Sequence, residues 1–117
     1  MLKGINPLLG GDLLRVLDHM GHGDRLLIVD RNYPAHASER KVISILSDSI
    51  IEVSRAILSV FPLDTFVSHP VERMEVEDDP RKTTPVQTEL LRQVSSTYPR
   101  ISEFRVIPRL DFYEKAK

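Results

Sequence analysis

Apolar residues recur along this chain at two spacings, one typical of helices and one typical of strands. Apolar side chains return every three or four positions in three segments, residues 12–20, 48–61 and 85–97. Asp12 is predicted to be the N-cap of the first segment, and Gly21 is predicted to end it. Pro62 ends the second segment, and Pro85 suits the first turn of the third. We therefore predict three helices.

Shorter apolar runs between these helices indicate strands. Residues 25–30 include four consecutive apolar side chains, which is typical of a short strand covered on both faces. The other predicted elements are strands at 41–46, 65–68, 71–76 and 103–107, loops at 31–36 and 77–84, and the first turn of a further element at 112–117. Because helices and strands alternate at short connections, the pattern predicts an α/β layered domain.

Length and charge narrow the classes of function. With 117 residues the chain has the size of one domain, which buries only about two-thirds of its unfolded surface, so oligomerisation would stabilise it. Its 16 basic and 17 acidic residues are scattered and give a net charge of −1. Such a chain has no field to attract nucleic acid or an anionic membrane, and we expect neither as a partner.

Cysteine usage and hydropathy favour a cytoplasmic protein. The absence of cysteine excludes a disulfide framework, a thiolate zinc site and a cysteine nucleophile. No window of the sequence approaches the roughly 20 apolar residues that cross a bilayer. The first residues also lack the apolar stretch of a signal peptide. We therefore expect a soluble protein in a reducing, cytoplasmic setting.

The candidate chemistry centres on His22, which lies between Gly21 and Gly23 after the first predicted helix. Glycine permits a sharp turn and leaves open space around the remaining side chain, and histidine, with an unperturbed pKa of about 6.5, exchanges protons near neutral pH. Asp30 ends the predicted strand at 25–30, where open α/β sheets bind ligands. A base and a carboxylate are thus expected at one crevice. The simpler interpretations are a histidine that stabilises a helix C-terminus and an aspartate that caps a loop.

A metal site is the alternative that the histidine spacing raises. His19 and His22 are three residues apart, and His36 follows in a loop. The first two straddle the predicted helix end rather than share a face, and no Glu or Cys completes a tetrahedral set at a familiar spacing. We therefore expect no metal, and interpret His36 as an exposed loop residue and His69 as structural.

Several blocks of residues repeat the motifs of one known family. The blocks are Met1-Leu2-Lys3, Pro7-Leu8-Leu9, Leu13-Leu14, Met20-Gly21-His22-Gly23-Asp24, Asp30, Pro34-Ala35-His36, Pro62-Leu63-Asp64-Thr65-Phe66, Met74-Glu75, Thr84-Pro85-Val86, Thr88-Glu89 and Phe112-Tyr113-Glu114-Lys115-Ala116. Through them nearly the whole chain resembles the sugar mutarotase family, which comprises the L-fucose mutarotases and the D-ribose pyranases. The L-fucose mutarotases are the nearer of the two groups.

The resemblance implies a fold, an activity and a set of site residues. The fold is three-layer α/β/α with a mixed, largely parallel central sheet, and the protein is a homo-oligomeric isomerase without metal or organic cofactor. Its substrate is a free monosaccharide such as L-fucose, whose anomers it interconverts. By matching motif positions, His22 is the catalytic acid/base, whereas Asp30, Arg109 and Tyr113 bind the sugar. Taken without the family, Arg109 is a solvated surface residue and Tyr113 a core or interface aromatic.

Two departures from the family pattern keep alternatives open. The family usually has Arg-Ala-Asp-Gly where residues 44–47 read Ser-Ile-Leu-Ser, and it continues past Lys117 into an apolar strand and a Tyr-Gly-Asn motif. We therefore expect residues 1–117 to form a single domain that lacks this C-terminal strand. Three functions remain: anomer exchange of L-fucose or a similar pyranose, D-ribose pyranase activity, and a non-catalytic sugar-binding or structural oligomer.

Overall fold

The computed structural model describes residues 1–30, 32–37, 40–47, 49–64, 69–101 and 103–116. The chain forms two compact units, Met1–Asp64 and Thr65–Lys117, and each is described by itself. The strand predicted at 65–68 lies outside the described residues.

The first unit opens with helix α1, Gly11–His19. Gly10, not the predicted Asp12, is the N-cap, and Asp12 lies in the first turn, where a carboxylate interacts favourably with the helix dipole. Met20 is the C-cap in an extended conformation. The helix therefore ends before Gly21, without the left-handed glycine that the sequence suggested for this position.

Helix α2, Ile50–Leu58, is shorter than the predicted segment 48–61. Its N-cap is Ser49, whose hydroxyl oxygen accepts a hydrogen bond from the Glu52 N–H at 3.2 Å. The Ser49 N–H in turn donates to Ser47 Oγ at 3.2 Å. The serines at this position thus satisfy backbone groups at the start of the helix. Asp48, the predicted first residue, lies outside the described residues.

The core of the first unit is built from one face of α1 and one face of α2. Leu13 and Leu17 lie four residues apart on α1, and therefore share its buried face. Ala56 of α2 is 1% exposed and belongs to the same buried cluster. The complete cluster of buried apolar residues is Leu9, Leu13, Leu17, Val53, Ala56 and Ile57.

Among the described residues, the strands predicted in the first unit are not paired. Residues 25–30 and 41–46 are all described, and neither segment pairs in a sheet with other described residues. Four of their apolar side chains nevertheless pack on the core: Leu26, Ile28, Ile43 and Ile45. The hydrophobic pattern thus predicted burial only in part, because Leu27 and Leu46 are 42% and 99% exposed rather than covered on both faces. A strand also needs a neighbouring backbone at hydrogen-bonding distance, which the pattern does not record. In the predicted loop after residue 30, Ala35–Ala37 form a short 3-10 helix.

The second unit contains a two-stranded parallel sheet. Strand β1, Glu72–Met74, pairs with strand β2, Arg105–Ile107, and the register places Arg73 opposite Val106. Both strands lie inside the segments predicted for them. Parallel strands require a crossover connection, and here helix α3 supplies it.

Helix α3, Pro85–Thr97, has the predicted bounds. Thr84 and Gln87 form a capping box: Thr84 Oγ1 accepts from the Gln87 N–H, and Gln87 Oε1 accepts from the Thr84 N–H, both at 3.1 Å. The Gln87 amide also donates to the Met74 carbonyl oxygen at 3.2 Å, which connects the start of α3 to the end of β1.

A tight turn follows β1 within the loop predicted at 77–84. Glu77 and Asp78 have φ angles of 52° and 58°, and the Asp79 N–H donates to the Val76 carbonyl oxygen at 3.0 Å. Two consecutive central residues with positive φ are typical of a type I′ hairpin turn. Arg73 holds the chain beyond this turn, because its buried guanidinium donates to the Met74 and Pro80 carbonyl oxygens.

Helix α4, Arg109–Ala116, follows β2 after Pro108. The sequence predicted only the first turn of an element at 112–117, and the structure begins the helix three residues earlier. Helices together with a parallel sheet confirm the α/β class. No helix in the described part of the chain is both long and apolar enough to cross a bilayer.

Candidate functional site

His22 lies in a tight turn directly after α1. The Asp24 N–H closes this turn by donating to the Gly21 carbonyl oxygen at 3.1 Å, and the Gly21 N–H donates to Asp24 Oδ2 at 2.8 Å. Gly23 has a φ of +85°, a conformation that residues with a side chain rarely adopt. A Cβ at Gly23 would meet nothing within 4 Å, so this position needs glycine for its backbone angle rather than for space.

The imidazole of His22 is 73% exposed and contacts the Asp64 carboxylate, with 3.1 Å between Nδ1 and Oδ1. An ionised carboxylate only accepts hydrogen bonds, so Nδ1 is the donor in this contact. In a neutral ring the lone pair then belongs to Nε2, on the opposite side of the ring from Asp64. This arrangement can take up a proton at Nε2 and return it.

Asp64 also binds the backbone of the same turn. Its Oδ2 accepts a hydrogen bond from the Gly23 N–H at 3.1 Å, so one carboxylate contacts both the ring and the chain that carries it. Sequence reasoning did not single out Asp64. Its only signal was membership of the family-like block that begins at Pro62, because a separation of 42 residues from His22 says nothing about contact.

Asp30 is exposed and stabilises the following loop. Its Oδ1 accepts from the Asn32 N–H at 3.0 Å, and its backbone oxygen accepts from the Tyr33 N–H at 3.2 Å. In the sequence Asp30 lies eight residues after His22, and the carboxylate contact described for the His22 ring is with Asp64. The side-chain bond to Asn32 is an Asx turn, the loop-capping geometry typical of aspartate.

Arg109 and Tyr113 lie on helix α4 of the second unit. They are four residues apart and therefore project from the same face of this helix. Arg109 is anchored through its backbone, because its N–H donates to Glu75 Oε1 at 3.3 Å, and the residue is exposed. Tyr113 is half-buried. The helix thus groups two of the sugar-binding residues that the resemblance implies.

An open depression of about 370 Å³ lies at the start of α4. It is lined by Glu75, Asp78, Pro108, Arg109, Leu110 and Asp111. The lining combines carboxylate acceptors with a guanidinium donor, and a sugar hydroxyl can both donate and accept. The sequence singled out Arg109 of this lining but not its neighbour Glu75, which belongs to the family-like pair Met74-Glu75.

The other histidines have separate surroundings. His69 Nε2 lies 3.3 Å from Glu103 Oε1 in the second unit, and His36 is exposed in the 3-10 helix of the first. Across the described ranges, no three histidine, aspartate or glutamate side chains are grouped in a way that could hold a metal ion.

Comparison with known proteins identifies relatives over the whole chain. Two L-fucose mutarotases are similar, from Histophilus somni (strain 2336) at 33% identity and from Haemophilus influenzae (strain PittEE) at 34%. Each alignment covers 100% of this chain and 81% of the relative.

Solved structures give the same result for the fold. Protein Atu2016 superposes with a TM-score of 0.89 at 40% sequence identity, covering 99% of this chain and 80% of the other. FucU from Bifidobacterium longum superposes with a TM-score of 0.88 at 35% identity, covering 97% and 82%. Both similarities confirm the α/β fold. Since residues 3–117 also match the RbsD / FucU transport protein family, this chain belongs to the RbsD / FucU family.

Proposed function

We propose that this protein is a sugar mutarotase, an isomerase that interconverts the anomers of a free pyranose, with L-fucose as the first candidate. Membership of the RbsD / FucU family supports the proposal, as does full-length similarity to proteins named L-fucose mutarotase. The observation that carries it is the exposed imidazole of His22, held through Nδ1 and therefore able to exchange a proton at Nε2.

Anomer exchange needs protons to move at two oxygen atoms. The anomeric hydroxyl loses a proton while the ring oxygen gains one, the C–O bond of the ring breaks, and an aldehyde forms. Rotation about the adjacent C–C bond exposes the other face of the aldehyde, and the reverse steps close the ring as the second anomer. No electrons are transferred, so the reaction requires no redox cofactor.

His22 acts as the acid/base of this cycle. The neutral ring accepts a proton at Nε2 from one sugar oxygen, and the resulting imidazolium donates a proton to the other. A positioned group of this kind typically accelerates proton transfer by about 10² to 10⁴. Spontaneous mutarotation is already fairly fast, so an acceleration of this size suffices.

Asp30, Arg109 and Tyr113 bind the sugar in this proposal, with roles taken from matching family positions. The carboxylate of Asp30 accepts hydrogen bonds from sugar hydroxyls, whereas the guanidinium of Arg109 and the phenol of Tyr113 donate them. A cationic donor also stabilises the negative charge that develops on an oxygen as its proton leaves. The exposure of Arg109 and its place beside carboxylates in an open depression support this role.

Exchange NMR on the anomers tests the proposal. We expect the protein to accelerate exchange between α- and β-L-fucose, and His22→Gln to reduce the catalysed rate by about 10² or more. His69→Gln is the matched control, because it also removes a histidine beside a carboxylate. Binding of L-fucose without faster exchange would favour the non-catalytic alternative, and faster pyranose–furanose exchange of D-ribose than of L-fucose anomers would favour a pyranase.

The proposal extends to assembly and location. The protein acts as a homo-oligomer in the cytoplasm, with a monosaccharide as its small-molecule partner. The cysteine-free sequence supports a reducing compartment. Large exposed side chains support self-association, since Leu46 is 99% exposed and Leu110 is 78% exposed. Sedimentation equilibrium tests it: a multiple of 13.4 kDa is expected, and a monomer at micromolar concentration contradicts it.

A further inference from the structure

We infer that Asp64 is the positioning residue for proton transfer at His22, because it selects the imidazole tautomer that leaves Nε2 unprotonated. The inference rests on the proposed mutarotase function. It adds to that function a residue that contacts the base.

In its two contacts, each oxygen atom of the Asp64 carboxylate acts as a hydrogen-bond acceptor. Oδ2 faces the Gly23 N–H at 3.1 Å, and a backbone N–H is always a donor. Oδ1 faces His22 Nδ1 at 3.1 Å, and an ionised carboxylate has no proton to donate. Nδ1 therefore carries the hydrogen atom, and the neutral ring keeps its acceptor lone pair at Nε2.

The same two bonds also orient the ring. The Gly23 contact fixes the turn relative to Asp64, and the Nδ1 contact fixes the imidazole relative to the same carboxylate. The ring is largely exposed, and the Nδ1 contact restricts its rotation in solvent. When Nε2 takes up a proton, the imidazolium lies beside an anion that stabilises it.

Asp64→Asn tests this inference, because asparagine has one acceptor and one donor group in nearly the same shape. The Gly23 N–H requires the acceptor oxygen, so the amide NH2 turns to Nδ1. Nδ1 must then accept, which moves the ring hydrogen to Nε2. We expect this variant to favour the Nε2–H tautomer and to exchange L-fucose anomers about 10- to 100-fold more slowly, with little change in apparent KM.

Long-range ¹H–¹⁵N NMR of the histidine rings reads the tautomer without any sugar. In the unmodified protein, the neutral His22 ring is expected to show the Nδ1–H form. Asp24→Asn is the matched control, because Asp24 binds the Gly21 N–H of the same turn through one oxygen. We expect its His22 tautomer to match that of the unmodified protein, which separates tautomer selection from general damage to the turn.

Three results overturn the inference: an Nε2–H ring in the unmodified protein, an unchanged tautomer in Asp64→Asn, or an unchanged exchange rate after the tautomer has switched. The first of these results can be measured even if the Asp64→Asn variant does not fold, because it uses the unmodified protein. Failure of the proposed function would give a different result. The tautomers would be as expected, but the unmodified protein would not accelerate anomer exchange.

Discussion

At the residue scale, the two glycines beside His22 differ in what the backbone requires of them. Gly21 is not in the left-handed region, and its N–H is bound by the Asp24 carboxylate. Gly23 has a φ of +85°, and its N–H is bound by Asp64. The sequence predicted an exposed histidine between two glycines, and the structure has one. Which glycine carries the unusual backbone angle was not readable from the sequence, because both have the same side chain.

Gly23→Ala is expected to destabilise the protein by about 1–2 kcal/mol, the cost of holding an L-residue in the left-handed region. Urea unfolding followed by circular dichroism measures this difference. Gly11→Ala is the control, because a Cβ there also meets nothing within 4 Å but the residue lies in helix α1. The control should be neutral or stabilising by up to about 1 kcal/mol. Equal stability of the two variants would contradict the assignment.

Arg109→Gln is expected to raise the apparent KM for the sugar by about 10- to 100-fold, the loss of one charge-assisted hydrogen bond. The fold should be retained, because the contact of Arg109 with Glu75 uses the backbone N–H. Anomer-exchange rates measured against sugar concentration give the KM. Arg105→Gln, which removes an exposed arginine from β2, is the control and should leave the KM unchanged. A similar KM in both variants would exclude Arg109 from sugar binding.

At the scale of elements, the sequence predicts an element's bounds best where the contacts that stabilise the element lie within a few residues of it. Helix α3 has its predicted bounds because Pro85 and the capping box lie at its own start. The segment at 25–30 does not pair as a strand with other described residues, although Leu26 and Ile28 pack on the core. A hydrophobic pattern indicates which side chains can be buried, whereas burial of each one and pairing of the strand depend on where the rest of the chain lies.

Thr84→Ala is expected to reduce the free energy of unfolding by about 1 kcal/mol, because the Gln87 N–H at the start of α3 loses its acceptor. Thermal or urea unfolding measures the change. Thr97→Ala removes the same atoms from the exposed last residue of the helix and serves as the control. Its effect should stay within about 0.5 kcal/mol. If both variants lose the same stability, the capping box is not what stabilises the start of α3.

At the scale of the whole molecule, the chain forms two compact units, and the sequence predicted one domain over residues 1–117. We propose that these residues unfold as one domain. Differential scanning calorimetry is expected to show a single transition in which the calorimetric and van't Hoff enthalpies agree. Two resolved transitions, or a van't Hoff enthalpy well below the calorimetric value, would show that the units unfold separately.

The sequence by itself determined the α/β class, helix α3 and the exposure of His22, because helix caps, prolines and glycine flanks act over a few residues. The tertiary structure alone decided which apolar segments pair, how far α4 extends, and which carboxylate holds the imidazole. Asp64 reaches His22 across 42 positions, and such a contact depends on the path of the whole intervening chain rather than on any local pattern.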